Sequence, residues 1–151
     1  MNNNSILNIK NLTISFGNKK SNVEVVHGIS LHINKNEILG VVGESGSGKS
    51  VTAMTILGLL PEKNTFLEGE ILFNKKDLLK DSKNNVRKLR GNDIAMIFQE
   101  PMTALNPSLT CGNQGSEIIQ HHLNHSISKA KKETISLFEK VKLPRSRELY
   151  N

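Results

Sequence analysis

The octapeptide Gly43-Glu44-Ser45-Gly46-Ser47-Gly48-Lys49-Ser50 constrains the fold more than any other stretch of this 151-residue chain. Ahead of it stands the strand-like run Ile38-Leu39-Gly40-Val41-Val42, and behind it Val51 to Leu60 is apolar nearly all round, which predicts a core helix. Strand, glycine-rich turn, Lys-Ser and helix, in that order, are the context that makes G-x-x-x-x-G-K-[ST] a polyphosphate cradle. A polyphosphate needs many convergent donors and no Cβ in the way. Gly43, Ser45, Gly46, Ser47 and Gly48 offer successive backbone N–H groups, and the helix that follows points its positive end at the same charge. Lys49 supplies a mobile cation for the outer phosphates, and the Ser50 hydroxyl is a ligand for Mg²⁺.

A chain of this length is one ordinary domain, able to bury roughly 70% of its extended surface if its core is self-contained. With 36% apolar residues, no Trp, one Tyr and five Phe, that core must rest on Ile, Leu and Val. The formal charge of +6 favours anionic partners. Its basic clusters, Lys83, Arg87, Lys88 and Arg90, then Lys129, Lys131 and Lys132, have no aromatic side chains interleaved for base stacking, so they read as solvated faces and no nucleic-acid partner is expected. Cys111, the only cysteine, rules out an intrachain disulfide. No stretch reaches the roughly 18 apolar residues of a membrane span, and the first residues lack the pattern of a signal peptide.

Ile6 to Ile14 and Val23 to Ile33 alternate apolar and polar residues, which predicts two paired, half-buried strands with a turn over Gly17 to Asn22. The run ending at Val42 is apolar on both faces, as a parallel strand covered by helices would be. Gly58 and Pro61 mark the end of the helix after the loop. Gly69 to Phe73 reads as a short strand, Val86 to Arg90 as a helical turn, and Ile94-Ala95-Met96-Ile97-Phe98 as a second buried strand. Gln99 to Pro107 is loop, and Gly112 to Leu123 and Ser128 to Val141 are helical, with Ile135, Phe138 and Val141 at helical spacing.

The loop joined to Ile94-Ala95-Met96-Ile97-Phe98-Gln99-Glu100-Pro101-Met102-Thr103-Ala104-Leu105-Asn106-Pro107 resembles the ATP-binding subunits of ABC transporters, in the oligopeptide, dipeptide and nickel importer group. The resemblance runs from about Leu7 to the last residue. It implies an α/β fold of the P-loop NTPase class, an incomplete ABC-type nucleotide-binding domain: antiparallel strands, the Walker A strand-loop-helix, the strand of the glutamine loop and part of a helical subdomain. Residues 1–107 would form the β-subdomain and nucleotide core, and 108–151 the start of the helical subdomain. The implied cofactors are ATP and Mg²⁺. The implied partners are a second ABC ATPase subunit, two membrane permease subunits and an extracytoplasmic substrate-binding protein, at the cytoplasmic face of the membrane.

By the same resemblance Gln99 is the glutamine that reaches the metal and the attacking water, a role that suits a neutral amide beside a γ-phosphate. Phe16 occupies the region of an adenine-stacking aromatic, with core packing of Phe16 as the competing reading and Val25 as an alternative neighbour for the ring. Val51 stands where many relatives carry Thr, so a hydroxyl is lost while its backbone N–H remains. The family's Leu-Ser-Gly-Gly signature, its Walker B strand ending in Asp-Glu and its switch histidine do not occur in this sequence. Hydrolysis by this chain alone is therefore not expected, and a nucleotide-binding remnant without transport activity is the alternative reading. Strands missing from a shared parallel sheet would cost on the order of 10 kcal/mol of burial, which bound nucleotide, at about 2.7 kcal/mol, would not restore.

Two patterns imitate other sites. Asn74-Lys75-Lys76-Asp77 has the spelling of a guanine-reading motif, but residues 51–73 contain no Asp for the accompanying D-x-x-G, so it reads as a turn after a strand. His121, His122 and His125 look like metal ligands, since positions 121 and 125 share a helix face, yet no Cys or carboxylate completes a set nearby in sequence and the group reads as a solvated face.

Overall fold

Strand pairing in the first ninety residues begins with β1 (Ser5–Asn18), which is flanked on both sides. β2 (Ser21–Asn34) and β3 (Thr65–Phe73) each run antiparallel to it, and the two-residue β4 (Lys76–Asp77) extends the sheet to the order β2-β1-β3-β4. The computed structural model describes residues 4–18, 20–100 and 104–151, so Pro101, Met102 and Thr103 of the glutamine-loop motif lie outside the described residues. The chain divides into two units, Met1–Arg90 and Gly91–Asn151.

The apolar alternation of β1 carries a break in phase. Leu7 and Ile9 are buried, then Leu12 and Ile14, a step of three where a flat strand allows two. A bulge absorbs the extra residue: the registers with β2 and β3 both shift across Asn11, whose φ is 47°. The bulge is pinned by Ser30, whose Oγ accepts from Asn11 N–H at 2.9 Å and donates to Asn11 Oδ1 at 3.3 Å. Without it, one half of β1 would turn its aliphatic side chains to water. Leu12, Ile14 and Ile71, each 0% exposed, form the centre of the core with Ile9, Leu7, Val26 and Phe73 around them.

Helix α1 (Lys49–Ile56) follows the glycine-rich loop and stops four residues short of the Leu60 end expected from its apolar run. Its end is decided by backbone hydrogen bonds: Leu59 N–H donates to Met54 O and Gly58 N–H to Thr55 O, both at 2.9 Å, around Gly58 at φ 59°. That is a Schellman closure, which a residue able to turn left-handed brings about wherever it stands. Arg90 completes it, donating from Nε to Leu57 O and from Nη2 to Gly58 O, each at 2.7 Å. The helix buries Thr52 and Thr55, with Leu57 buried at its cap and Val51, Met54 and Ile56 half-buried. Helix α2 (Lys83–Leu89) is capped by Ser82, whose side chain accepts from Asn85 N–H.

The segment Ile38–Val42, expected as a covered parallel strand, belongs to no ladder among the described residues. Ile38 is 98% and Val42 97% exposed. The second expected buried strand, Ile94–Phe98, is likewise unpaired over residues 95–98, and Ile97 is 98% exposed. A segment becomes a strand only when a neighbour takes its N–H and C=O groups, and no described residue forms a ladder with residues 38–42 or 95–98.

In the second unit, α3 (Cys111–Leu123) and α4 (Ile127–Lys140) pack together and the short α5 (Ser146–Leu149) packs on α4. Thr110 and Ser126 cap the two longer helices through their hydroxyls. The buried contact is small and partly polar: Ile119 and Ala130, with Ser116 Oγ hydrogen-bonded to Thr134 Oγ1 at 3.1 Å and to Tyr150 OH at 2.9 Å. Each hydroxyl in that trio has a partner, as burial requires. Val141 of the expected apolar repeat is exposed, and Ile135 and Phe138 are half-buried.

Candidate nucleotide site

The loop between Val42 and α1 is shaped by two residues that an L side chain could not replace without strain, Gly46 and Gly48, both at φ 84°. At Gly48 the reason is also one of space. An added Cβ would lie 2.7 Å from Val26 Cγ2 and 3.1 Å from Val25 O, so this end of the loop is seated against β2. Gly48 is the N-cap of α1 and offers no side chain to the first-turn N–H groups. Those donors, apart from Thr52 N–H, which bonds Gly48 O at 2.8 Å, stay available to an anion at the positive end of the helix.

Lys49 folds back over the loop. Its Nζ donates to Gly43 O at 2.7 Å, Glu44 O at 2.6 Å and Ser47 Oγ at 3.1 Å, and Ser47 N–H donates to Glu44 O at 3.2 Å. The ammonium is thus held by oxygen acceptors of the loop itself, at its mouth. Gly43, Ser47, Gly48 and Lys49 are brought together directly, while Ser50 and Val51 follow in the first turn of α1, with Ser50 exposed. The donor set suits a polyphosphate: an ammonium, unpaired helix N–H groups and a serine hydroxyl, with no acidic side chain bonded into it.

Phe16 lies half-buried on β1, paired with Val23 of β2 and Thr65 of β3. Val25, half-buried, is the residue whose carbonyl touches the Gly48 end of the loop. Gln99 belongs to the second unit and is exposed, at a bend after Phe98. Sequence reasoning missed the two supports of the site, the Val25–Val26 wall behind Gly48 and the Arg90 clamp on the far end of α1. Neither leaves a sequence signal, since each acts across more than twenty residues through a backbone contact.

The two imitations resolve into local structure. Asn74 and Lys75 both have positive φ, the turn of a tight hairpin joining β3 to β4. Asp77 is used internally: Oδ1 accepts from Leu79 N–H at 3.1 Å and Oδ2 pairs with Lys80 at 3.1 Å. As for the histidines, α3 ends at Leu123 and Asn124 turns left-handed at φ 51°, so His125 leaves the helix face it was expected to share with His121. A carboxylate does come near it from α4: His125 Nδ1 meets Glu133 Oε2 at 3.0 Å, while Nε2 accepts from Lys129 Nζ at 2.9 Å. Among the described residues no group of three His, Cys, Asp or Glu side chains is placed to hold a metal ion.

The profile of the ABC transporter family matches residues 26–150, most of the chain and the whole of the loop. The chain belongs to the ABC transporter family. It is 45% identical over 140 residues to the dipeptide transport ATP-binding protein DppD of Bacillus subtilis, covering 92% of this chain and 42% of that protein. It is 44% identical over 140 residues to the oligopeptide transport ATP-binding protein OppD of the same organism, covering 92% of this chain and 39% of that protein. It therefore spans less than half the length of these relatives. Among solved structures, the dimeric bacterial ABC transporter cassette MJ0796 superposes with a TM-score of 0.72 at 19% identity, covering 92% of this chain and 58% of that one. A post-hydrolysis state of the same cassette bound to ADP and Pi gives a TM-score of 0.69 at 21% identity, covering 88% of this chain and 57% of that one. The described fold is thus part of an ABC cassette, a partial α/β domain with an antiparallel sheet. No described helix is long and apolar enough to cross a membrane.

Proposed function

We propose that this chain is the nucleotide-binding part of an ATP-driven peptide importer subunit, with residues 1–107 as its nucleotide core and 108–151 as the start of its helical subdomain. The observation that carries the reading is the loop at the start of α1: left-handed Gly46 and Gly48, uncapped N–H groups, and Lys49 held at the loop mouth by oxygens. Peptide rather than nickel is the cargo we favour, because the relatives above are named for dipeptide and oligopeptide transport.

In this reading the backbone N–H groups of Gly43, Ser45, Gly46, Ser47, Gly48 and Val51 bind phosphate oxygens. Lys49 moves its ammonium from the loop carbonyls to the β and γ oxygens, and Ser50 and Gln99 hold Mg²⁺. Mg²⁺, when bound, neutralises charge that develops on the transferred phosphoryl group. Phe16 or Val25 flanks the base. Turnover needs a carboxylate at the end of a buried strand to activate the attacking water, and no apolar run followed by Asp-Glu occurs after Gln99 in this sequence, so the 151-residue chain is expected to bind nucleotide without sustained hydrolysis. A second ATPase subunit, two permease subunits and a substrate-binding protein complete the importer, which places the subunit at the cytoplasmic face of the membrane. The unpaired residues 38–42 and 95–98 support strands being added to them in the working assembly.

Calorimetric titration with Mg-ATP tests the nucleotide reading. Lys49→Ala is expected to weaken binding by roughly 10- to 100-fold, the range for hydrogen bonds to a charged group. Affinity unchanged by that substitution would refute the site. For the cargo, disrupting the gene in its host should abolish dipeptide uptake and leave nickel uptake intact.

A further inference from the structure

A cavity of about 680 Å³ opens in the first unit between the C-terminal end of α1, β3 and α2, within the size range of small-ligand sites. Leu78 and Val86 form a buried apolar floor, and Leu67, 39% exposed, carries that surface toward the opening. Lys83, Arg87 and Arg90 line it together with two acids, Glu62 and Asp81. Both acids are engaged: Glu62 pairs with Lys83 at 2.5 Å, and Asp81 pairs with Lys76 at 2.7 Å and accepts from Asn85 Nδ2 at 2.7 Å. Arg90 spends its hydrogen bonds on two carbonyl oxygens, neutral acceptors that leave its charge uncompensated. The guanidinium of Arg87 meets no acceptor among the described residues.

Two arginine charges without counter-ions therefore border a hydrocarbon-floored concavity. A nucleotide or free phosphate would satisfy the charges but leave Leu67, Leu78 and Val86 in contact with polar groups. A cation would be repelled. We propose that the cavity is a binding site for a small amphiphile with one carboxylate head and an aliphatic body. The carboxylate accepts from the Arg87 fork in the geometry that planar guanidinium groups favour, and the aliphatic body removes the leucine and valine surface from water. Thr55 and Ile56 also line the cavity, and they end the helix whose first residue is Lys49. The ligand thus sits on the opposite end of α1 from the phosphate loop. A concavity of this volume matches a single small molecule.

The test titrates the 151-residue chain with decanoate and follows methyl chemical shifts by NMR, with decyltrimethylammonium as the cationic control. Decanoate is expected to shift Leu67, Leu78 and Val86, and the cation to leave them unmoved. Arg87→Glu should weaken decanoate binding about tenfold or more and Arg87→Gln by less, the scale for losing a hydrogen bond to a charged group. Both change an exposed side chain, so circular dichroism should match the parent. Lys88→Glu makes the same charge change on the same helix outside the cavity, and should alter binding by less than about twofold. Equal losses in the Arg87→Glu and Lys88→Glu variants, or no loss in either, would overturn the proposal. So would shifts confined to Ile38, Val42 and Ile97, which would mean adsorption to exposed apolar backbone. An acidic peptide that outcompetes decanoate with the same Arg87 dependence would replace the small molecule with a protein partner.

Discussion

β1 and the segment Ile38–Val42 are both rich in aliphatic residues, yet Leu12 and Ile14 are fully buried while Ile38 and Val42 are almost fully exposed. β1 has a neighbour on each side, and Ile38–Val42 has none among the described residues. Burial in a sheet is a property of pairing, since a strand shields its side chains only when adjacent strands extend the surface they pack on. The bulge at Asn11 makes the same point from the other direction: β1 tolerates an extra residue because both neighbours shift with it.

Hydrogen exchange gives the largest expected contrast. Backbone amides of Ile9, Leu12 and Ile14 should exchange on the order of a thousandfold more slowly than those of Leu39, Val41 and Val42, as a local opening free energy of about 4 kcal/mol implies. Equal protection would break the comparison by showing that residues 38–42 are paired in solution. Next in size, Leu12→Ala should cost about 2–5 kcal/mol in urea unfolding, while Val42→Ala should stay within about 0.5 kcal/mol. A third measurement concerns the end of α1: Arg90→Ala leaves the Leu57 and Gly58 carbonyls without their charged donor and should cost about 1–3 kcal/mol, with Arg90→Lys recovering part of it.

The smallest expected effect comes from acid. A hydrogen bond from Lys76, then one from Asn85, holds the Asp81 carboxyl below the usual range, and Lys10 does the same for Glu70. At Asp77 burial pushes upward but is outweighed by Lys80 and by the Leu79 and Ile71 N–H groups, so its pKa is also lowered. Carboxylates depressed on folding contribute stability above their unfolded pKa, near 4, and lose it as pH falls through the lower folded value. The urea midpoint of the first unit should therefore hold from pH 7 to about 5 and drop below about 4. A midpoint that rises on acidification would contradict these ion pairs. All three lie on the β3, β4 and α2 side of the sheet, so the acid effect should spare the β1–β2 pairing until global unfolding.

Much of the molecule was legible because it depends on local chemistry. The β1 and β2 strands follow from alternation, α3 and α4 from helical spacing, and the loop from Gly46, Gly48 and Lys49. Where reading failed, the deciding interaction was distant or left no side-chain signature. The hydropathy of Leu59 and Leu60 argued for more helix, but backbone closure at Gly58 and the reach of Arg90 ended it. His121 and His125 share a face only if the helix continues, and Asn124 stops it. β3 begins at Thr65, four residues before its expected start, because β1 offers partners as far as Phe16.

The residue order alone determined the glycine-rich loop and the family, because glycine conformational freedom, a lysine and a serine at fixed spacing leave little choice of backbone path. Tertiary structure decided which aliphatic runs became strands, where α1 ended and what seated the loop on Val25 and Val26. Each of those depends on hydrogen-bond partners and contact surfaces brought from far along the chain, and a one-dimensional pattern does not record who the neighbours are.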